Sequence, residues 1–376
     1  MTVRGILLIT ALTGLMQGCG GGGGNSAQLP TTTPLPPLVT AETSYKNFKE
    51  VGLTPHSLPS PHSARAYGDF SRSGRLDMFT ASTTYYPPTT IAAATPSIFE
   101  FWRKQDNGTF VKDTQMLASP IGCIHPRKAI VADFNGDGRP DVFVACHGFD
   151  APPYPGERSK IILSQPNGSY VTQDASPDVG FFHSASAADL NGDGRPDVIV
   201  TDFKVPESAF VLLNQGGGVL KRESSARLPS SIGGGKPYFS VELVDVDGDG
   251  KVDVLLGGHE WDRATTTVVL LNPGSSDFTS VKPITVPPVP NDGVVLDFVL
   301  TGAGSTRSLW LLRTSGGDGT FYQGRTIQRV SWPSLSSTVP LRDRAAQWFP
   351  WIIPTMLNGQ SVISSDDASV NVAIPQ

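Results

Sequence analysis

Cysteine, charged residues and long apolar runs are all scarce in this sequence. Its 376 residues include three cysteines, and charged residues make up 17% with a net charge of -5. This balance provides no broad basic field, so nucleic acid is not an expected partner. Beyond the N-terminal segment there is no run of about eighteen consecutive apolar residues, so no membrane-spanning helix is expected.

Helical periodicity and catalytic motifs are also missing from the sequence. No amphipathic stretch of 3.6-residue period reaches the length of a helix. The nucleophile motif G-x-S-x-G does not occur. His259-Glu260 begins like H-E-x-x-H, but Arg263 stands where the second histidine belongs, and Gly233-Gly234-Gly235-Lys236 is an incomplete P-loop. These absences favour a protein without catalytic activity and leave the question of catalysis open.

The N-terminal segment has the pattern of an export signal. Arg4 precedes the apolar run Gly5–Met16, which is too short to span a bilayer. The run ends in Met16-Gln17-Gly18-Cys19, which resembles a bacterial lipobox. An ordinary secretory signal with a chance cysteine is the alternative. We expect residues 1–19 to be a lipoprotein signal, with Cys19 lipidated and the protein exported to the periplasmic or cell-surface side of the outer membrane.

A linker and a folded domain follow the signal. Residues 20–43 are Gly-rich and then Pro/Thr-rich, so they cannot bury a core and are expected to form a tether. The folded domain is expected over residues 44–376, where abundant glycine and proline suit short strands and turns. Cys123 and Cys146 lie in this domain. Export would permit a disulfide between them, but the sequence does not give the Cα distance that decides it.

A short repeated pattern organises the rest of the chain. An apolar strand, an aspartate-rich loop and a second apolar strand recur with loops 56 residues apart in both steps. The first aspartates of the three close copies are Asp133, Asp189 and Asp245. A degenerate copy begins at Asp69, and eroded copies are expected at Asp297 and over residues 352–366. The pattern therefore predicts six units.

Each unit continues into two more strands. Third strands are expected at residues 160–163, 210–214, 268–272 and 309–312. Asn-Gly and Asp-Gly turns are hairpin signals, and they lead into fourth strands that open with Phe110, Tyr170 and Phe321. Four strands in each unit of about 50–60 residues predict an all-β fold, a β-propeller of four-stranded blades. Six blades are expected, or seven if the long first unit hides another. Residues 45–51 would supply the fourth strand of the last blade and close the ring.

Aspartates at alternate positions of a tight loop point toward one centre, where calcium can collect six to eight oxygen ligands. In the first close copy the expected ligands are Asp133, Asn135, Asp137, the Arg139 carbonyl and Asp141. The surrounding run of strand, D-x-[ND]-x-D-G-x-x-D and strand resembles the FG-GAP/VCBS repeats of integrin α-subunit propellers and many bacterial exported proteins. The resemblance covers roughly residues 44–376.

This resemblance implies about three calcium sites. It assigns as ligands of the second and third close copies Asp189, Asn191, Asp193, the Arg195 carbonyl and Asp197, and then Asp245, Asp247, Asp249, the Lys251 carbonyl and Asp253. An EF-hand is excluded because its twelfth loop position needs glutamate and the flanks are strands here. Magnesium fits less well because it demands stricter octahedral geometry. The role expected for the ions is structural.

The other loops match the calcium pattern less well. In the degenerate copy, Asp69 and Asp77 keep the first and last carboxylates, but Ser71 and Ser73 replace the middle ligands, so this site is weaker. The Asp297 loop lacks the remaining carboxylates and should hold no metal.

Counting strands places a second set of polar residues at the opposite end of the blades, before first strands and after second strands. The set is His62, His125, Arg127, His147, His183, Asp202, His259 and Glu260. Such a pocket could bind a carbohydrate, a peptide or a second metal, and the alternative is a group of solvated turn residues. The expected function is a membrane-anchored, non-catalytic binding or adhesion module with a protein or carbohydrate ligand. A polysaccharide-active lyase or dehydratase is the alternative, by analogy of fold alone.

Overall fold

The structure is a computed structural model that describes residues 64–83, 90–203, 206–223, 227–365 and 369–375. These ranges contain 23 strands, and their helical content is two single 3-10 turns, Ile91–Ala93 and Gly304–Thr306. In this part of the chain no helix is long and apolar enough to cross a bilayer. The predicted signal with Cys19, the linker, the strand at 45–51 and His62 lie outside the described residues.

The strands form six antiparallel sheets, each with its strands side by side in chain order. Blade one contains β1 (Ala64–Gly68), β2 (Asp77–Ala81), β3 (Phe99–Lys104) and β4 (Phe110–Asp113). Blade two contains β5 (Pro126–Ala132), β6 (Asp141–Cys146), β7 (Lys160–Ser164) and β8 (Tyr170–Asp174). Blade three contains β9 (Phe182–Ala188), β10 (Asp197–Asp202), β11 (Ala209–Asn214) and β12 (Leu220–Arg222).

The second half of the ring continues the same order. Blade four contains β13 (Tyr238–Val244), β14 (Asp253–Gly258), β15 (Val268–Leu270) and β16 (Ile284–Thr285). Blade five contains β17 (Val294–Thr301), β18 (Ser308–Thr314), β19 (Arg325–Ser331) and β20 (Ser337–Asp343). The described part of blade six contains β21 (Ile353–Leu357), β22 (Gln360–Ser364) and β23 (Asn371–Ala373). The predicted all-β, six-bladed propeller is confirmed.

The hydrophobic core is divided into layers between neighbouring blades. Each buried cluster takes residues from two consecutive blades, because both faces of an inner strand are covered by sheets. A last cluster joins Tyr67 and Met78 of blade one to Trp351 and Ile353 of blade six. This cluster brings the first and last blades together within the described residues, and the predicted closing strand at 45–51 lies outside them.

Small polar residues form hydrogen bonds with backbone groups of the inner strands near the axis of the ring. The Ser184 hydroxyl of β9 accepts a hydrogen bond from the backbone N–H of Val241 at 3.1 Å, and Ser186 does the same for Leu243 at 3.0 Å. These bonds run from blade three to blade four. A strand edge exposes backbone groups without partners, and burying such groups costs free energy. The two serines bond these groups in the next blade, whereas alanine at the same positions would leave them unpaired.

The expected strand assignment of blade five is wrong by one strand. Asp297, predicted to open an eroded loop, lies in the middle of β17, where its carboxylate accepts the Ile352 N–H at 2.9 Å. Residues 309–312 consequently form part of the second strand, and Phe321 lies in the loop that precedes β19. The loop that occupies the calcium-loop position is residues 302–307, which contains no carboxylate. Asp297 follows apolar residues, as the first aspartate of each calcium loop does, and this likeness led to the wrong assignment. Its carboxylate is in fact buried in the core.

Candidate functional site

The aspartate-rich loops join the first and second strands of blades one to four. In blade two, the first aspartate, Asp133, accepts hydrogen bonds from the backbone N–H groups of Gly136 (2.7 Å) and Gly138 (2.8 Å). Asp189 and Asp245 make the equivalent bonds in blades three and four. Gly138 has a φ of 77°, the left-handed conformation expected at this sharp turn. The three close copies therefore share one loop conformation.

The last aspartate of each loop is buried and ties three strands together. Asp141 accepts backbone N–H bonds from Phe134 (2.9 Å) and Asn135 (3.0 Å) in the loop and from Ser164 (2.7 Å) at the end of the third strand. Burial raises the pKa of Asp141 to about 7. The corresponding carboxylates of the other loops bond in the same way, and they are Asp77, Asp197 and Asp253.

We number each loop by its blade. Loop four, the aspartate-rich loop of blade four, gathers three carboxylates into one group. Oxygens of Asp245, Asp247 and Asp253 all lie within 4.8 Å of one another. Asp193 and Asp249 are the fifth residues of loops three and four, counted from the first aspartate. Their side chains instead contact basic side chains two residues later. The donors expected in these loops are all oxygens, which is the set that a hard cation such as calcium takes. The residues present therefore fit calcium.

Two further features of the loops are the seventh residue, counted from the first aspartate, and the middle positions of loop one. The side chains of Arg139 and Arg195 donate to the carbonyls of Gln165 and Asn214 at the end of the third strand. A guanidinium cannot bind a cation, so the backbone carbonyls of Arg139 and Arg195 remain the expected ligands. In loop one, Asp69 accepts the N–H groups of Ser73 and Gly74 at 2.7 and 2.8 Å, although serines occupy its middle positions. The loop shape is thus kept where the middle ligands are lost.

The opposite end of the propeller carries a continuous chain of rings, which we call the His–aromatic face. Its members are His125, Arg127, His147, His183, Phe239, His259, Trp261, Phe321 and Tyr322. Ring centroids are 4.9 Å apart between His125 and His147, and 4.4 Å apart between His147 and His183. The chain continues through Phe239, which lies 4.2 Å from both His183 and His259. The structure therefore brings four predicted histidines from blades two, three and four onto one surface.

Three of these histidines are buried and His125 is half-buried, and all four are uncharged at neutral pH. Burial, assisted by the nearby Arg127 guanidinium, lowers the pKa of His125 and of His259 to about 3. Burial also holds the pKa values of His147 and His183 well below 6.5. Neutral imidazole offers one donor and one acceptor nitrogen. Among the described residues, His259 Nε2 has no hydrogen-bond partner although it is buried.

Two aromatic side chains open the face to solvent. Trp261 is 43% exposed and Phe321 is 45% exposed. The Trp261 ring lies against the backbone of Gly316, where an added Cβ would come within 2.2 Å of it. Beside them, Arg127 Nη2 donates to the Tyr322 hydroxyl at 3.3 Å. Sequence analysis missed Trp261, Phe239 and Tyr322, because single aromatic residues in loops carry no repeat signal, and it placed Phe321 in a strand.

Two carboxylates predicted for this end have structural partners. Glu260 pairs with the fully buried Arg313, with Nη1···Oε2 at 2.8 Å and Nη2···Oε1 at 3.0 Å. Asp202 is buried and accepts the backbone N–H of Phe181 at 3.2 Å. Both groups hold the loops of the face in place, since removing either would leave buried partners unpaired.

The two cysteines of the domain form a disulfide beside the face. Cys123 and Cys146 have a Cα–Cα distance of 6.1 Å and are 23 residues apart in sequence. Cys146 ends β6 directly before His147, and Cys123 lies two residues before His125. The backbone N–H of His147 also donates to the His125 carbonyl at 2.9 Å. The disulfide therefore fixes the spacing of two of the histidines.

The ring of blades and its recurring aspartate loops define a repeat propeller, and the family comparison agrees. The FG-GAP-like repeat family matches residues 69–144, 133–200 and 189–256, which together span half of the chain. The chain belongs to the FG-GAP-like repeat family.

Solved structures of similar shape have little sequence in common with this chain. The periplasmic gluconolactonase of Pseudomonas aeruginosa has a TM-score of 0.51 and 14% identity, over 85% of this chain and 86% of that one. A Bacteroides uniformis protein provisionally assigned as a 6-phosphogluconolactonase has a TM-score of 0.48 and 14% identity, over 87% and 91% of the two chains. At this identity the first likeness shows a shared fold alone.

Proposed function

We propose that this protein is a calcium-stabilised propeller that binds a carbohydrate, without catalysis, on its His–aromatic face. The observation that carries the proposal is the pair of exposed rings, Trp261 and Phe321, above buried neutral imidazoles. Aromatic rings cover the apolar faces of a ligand, while a few fixed polar groups set its orientation. Neutral imidazoles match sugar hydroxyls, because each side can both donate and accept.

Calcium in the close-copy loops forms the other half of the proposal. The three ions would be held by the oxygen donors of loops two, three and four, with the loop carbonyls of Arg139, Arg195 and Lys251. When bound, calcium neutralises carboxylates that otherwise repel one another at one corner of each blade. These loops lie at the end of the blades opposite the His–aromatic face, so the ions would act on stability and leave ligand contacts unchanged.

The cellular location is proposed from two independent features. The lipobox-like Cys19 supports export and a lipid anchor in the outer membrane. The Cys123–Cys146 disulfide supports an oxidising compartment. Labelled palmitate should be incorporated into the wild type and not into Cys19→Ala. Equal labelling of the two would contradict the anchor.

A glycan array tests the binding proposal directly. Wild-type protein should retain a defined set of glycans, and Phe321→Ala should lose them while unfolding at the same temperature as the wild type. Val339→Ala provides the matched control, because Val339 is similarly exposed but lies in the outer strand β20 of blade five. Retention of peptides with no retention of glycans would replace carbohydrate by a protein ligand. Equal binding by Phe321→Ala and wild type would contradict the use of this face.

A polysaccharide-active enzyme is the second candidate. One observation favours it: the half-buried Tyr322 hydroxyl accepts a hydrogen bond from Arg127 beside several histidines, and tyrosine and histidine are side chains that can transfer protons in catalysis. The gluconolactonase likeness supports the fold of such an enzyme and carries no activity to this chain. Product analysis of the retained glycans separates the candidates, because a lyase leaves unsaturated sugars and a binding module leaves its ligand intact.

A further inference from the structure

His125, His147 and Asp150 form a compact group at the edge of the His–aromatic face. Each offers one ligand atom, and these atoms all lie within 4.8 Å of one another. Nε2 of His147 is 4.0 Å from Oδ1 of Asp150. We propose that this group is a binding site for a divalent transition-metal ion of the zinc class, separate from the calcium loops. Two imidazoles and one carboxylate form a common protein ligand set for zinc, with a fourth position left open.

The two imidazoles are already positioned close together. Their ring centroids are 4.9 Å apart. Nδ1 of His147 lies 3.3 Å from the Gly148 carbonyl, and in the tautomer that donates this hydrogen bond Nε2 carries the lone pair. Metal-binding histidines commonly donate their second ring N–H in this way. Nε2 is also the His147 atom that lies 4.0 Å from Asp150 Oδ1, so it is the ligand atom of this ring.

Two constraints hold the two histidine-bearing segments together, and a third anchors one of them. The Cys123–Cys146 disulfide joins them directly, and the His147 N–H to His125 carbonyl bond does so again at 2.9 Å. The Glu157 carboxylate accepts the backbone N–H of Ile124 at 2.8 Å, which fixes the segment between Cys123 and His125. Rigid support of this kind reduces the cost of ordering ligands when an ion binds.

Asp150 supplies the third ligand. Its side chain is 46% exposed and lies in a loop, and a bound ion would draw its carboxylate to a zinc–oxygen distance of about 2.0–2.2 Å. Arg127 is the neighbouring cation, and its positive charge acts on all three groups. Its repulsion of a bound ion is reduced by the Asp150 carboxylate. Because of this repulsion, Arg127→Gln should increase affinity for zinc.

Zinc titration of calcium-saturated protein tests the site. The purified protein is stripped with a chelator and returned to excess calcium, so the aspartate loops are filled before zinc is added. Calorimetry should give one zinc ion per chain, and Co²⁺ in its place should give the visible absorption of a nitrogen- and oxygen-bound ion. Asp150→Asn should weaken binding at least about tenfold, and His125→Ala should weaken it further.

A neighbouring imidazole supplies the control for this experiment. His259→Phe removes another buried histidine of the same face, outside the group, and should leave zinc affinity within about twofold of the wild type. If His125→Ala fails to fold, Asp150→Asn at an exposed position still decides the question. No zinc uptake by calcium-saturated protein, or equal uptake by wild type and Asp150→Asn, would overturn the site. Neither result depends on whether glycans bind, so the two proposals fail separately.

Discussion

Lys128 and Glu242 form a buried ion pair between the first strands of blades two and four. Blade three lies between these blades in the ring, so the pair spans the centre of the propeller. Ser186 of blade three donates to Glu242 at 3.3 Å, and Asp297 of blade five lies 3.9 Å from the Lys128 ammonium group. One cation therefore connects the inner strands of non-adjacent blades. Asp297, which accepts the Ile352 N–H through its other oxygen, adds a second and longer contact to this cation.

Removing the cation should destabilise the whole ring. Lys128→Met leaves Glu242 and Asp297 buried without their cation, and breaking a buried pair from one side costs about 3–5 kcal/mol. Adding Glu242→Gln should restore part of this loss, because one of the uncompensated charges is then removed. Urea unfolding of the two variants and the wild type measures both effects. An unchanged midpoint for Lys128→Met would mean that the pair contributes nothing.

Acid should destabilise the protein through the buried histidines. His259 has a folded-state pKa of about 3 against about 6.5 when unfolded, so between these values the unfolded chain binds a proton that the folded chain does not. The stability contribution is complete above pH 6.5 and is lost as pH falls, by about 2 kcal/mol at pH 5. His259→Phe keeps a ring stacked between Phe239 and Trp261 and should flatten this pH dependence by that amount. Equal slopes for variant and wild type in urea unfolding between pH 7 and 5 would contradict the assignment.

Calcium removal should lower the unfolding temperature. An ion that binds only the folded state adds about 2.7 kcal/mol when present at a hundred times its dissociation constant. Chelation with EGTA should remove that contribution, and added calcium should restore it while magnesium restores less. Asp247→Asn weakens one loop only, so it should lose part of the calcium response. Calorimetric scans with metal analysis measure the effect, and an unchanged scan after confirmed metal removal would argue against the sites.

The disulfide should contribute to stability and to the proposed zinc site. Replacing Cys123 and Cys146 together by alanine frees a loop of 23 residues, which costs about 3 kcal/mol in the chain-entropy account. Zinc affinity should fall as well, because His125 and His147 lose their tether. Urea unfolding and zinc calorimetry on the double variant give the two readouts. Two free thiols in unreduced, denatured wild-type protein would show that the bond is absent.

The sequence predicted the parts of the fold that repeat. Three loops with equal spacing predicted the register of blades two to four. The aspartate pattern of period two also located Asp141 and its equivalents at the end of each loop, and their role as calcium ligands stays a prediction. The prediction for blade five was wrong because Asp297 was interpreted from its neighbours in sequence, whereas its partners are Ile352 and Lys128, which lies 169 positions earlier in the chain. Contacts across the ring leave no local pattern.

The same distinction applies to the His–aromatic face. Strand counting placed His125, His147, His183 and His259 at one end, because blades set the direction of every strand. It could not find Phe239 or Trp261, whose contribution depends on ring contacts between loops of different blades. Nor could it predict that Glu260 is engaged by Arg313, since that pair joins blades four and five.

The most direct test of the account is to separate the two ends of the propeller in one binding experiment. Affinity for the retained glycan is measured by calorimetry for the wild type, Phe321→Ala and Asp247→Asn, well below their unfolding temperatures. The account predicts that Phe321→Ala loses at least about tenfold in affinity at nearly unchanged stability, because the ring is 45% exposed and packs against other rings of the face outside the core layers. Asp247→Asn should bind as the wild type does and unfold at a lower temperature. Loss of binding in Asp247→Asn with full binding in Phe321→Ala would contradict it.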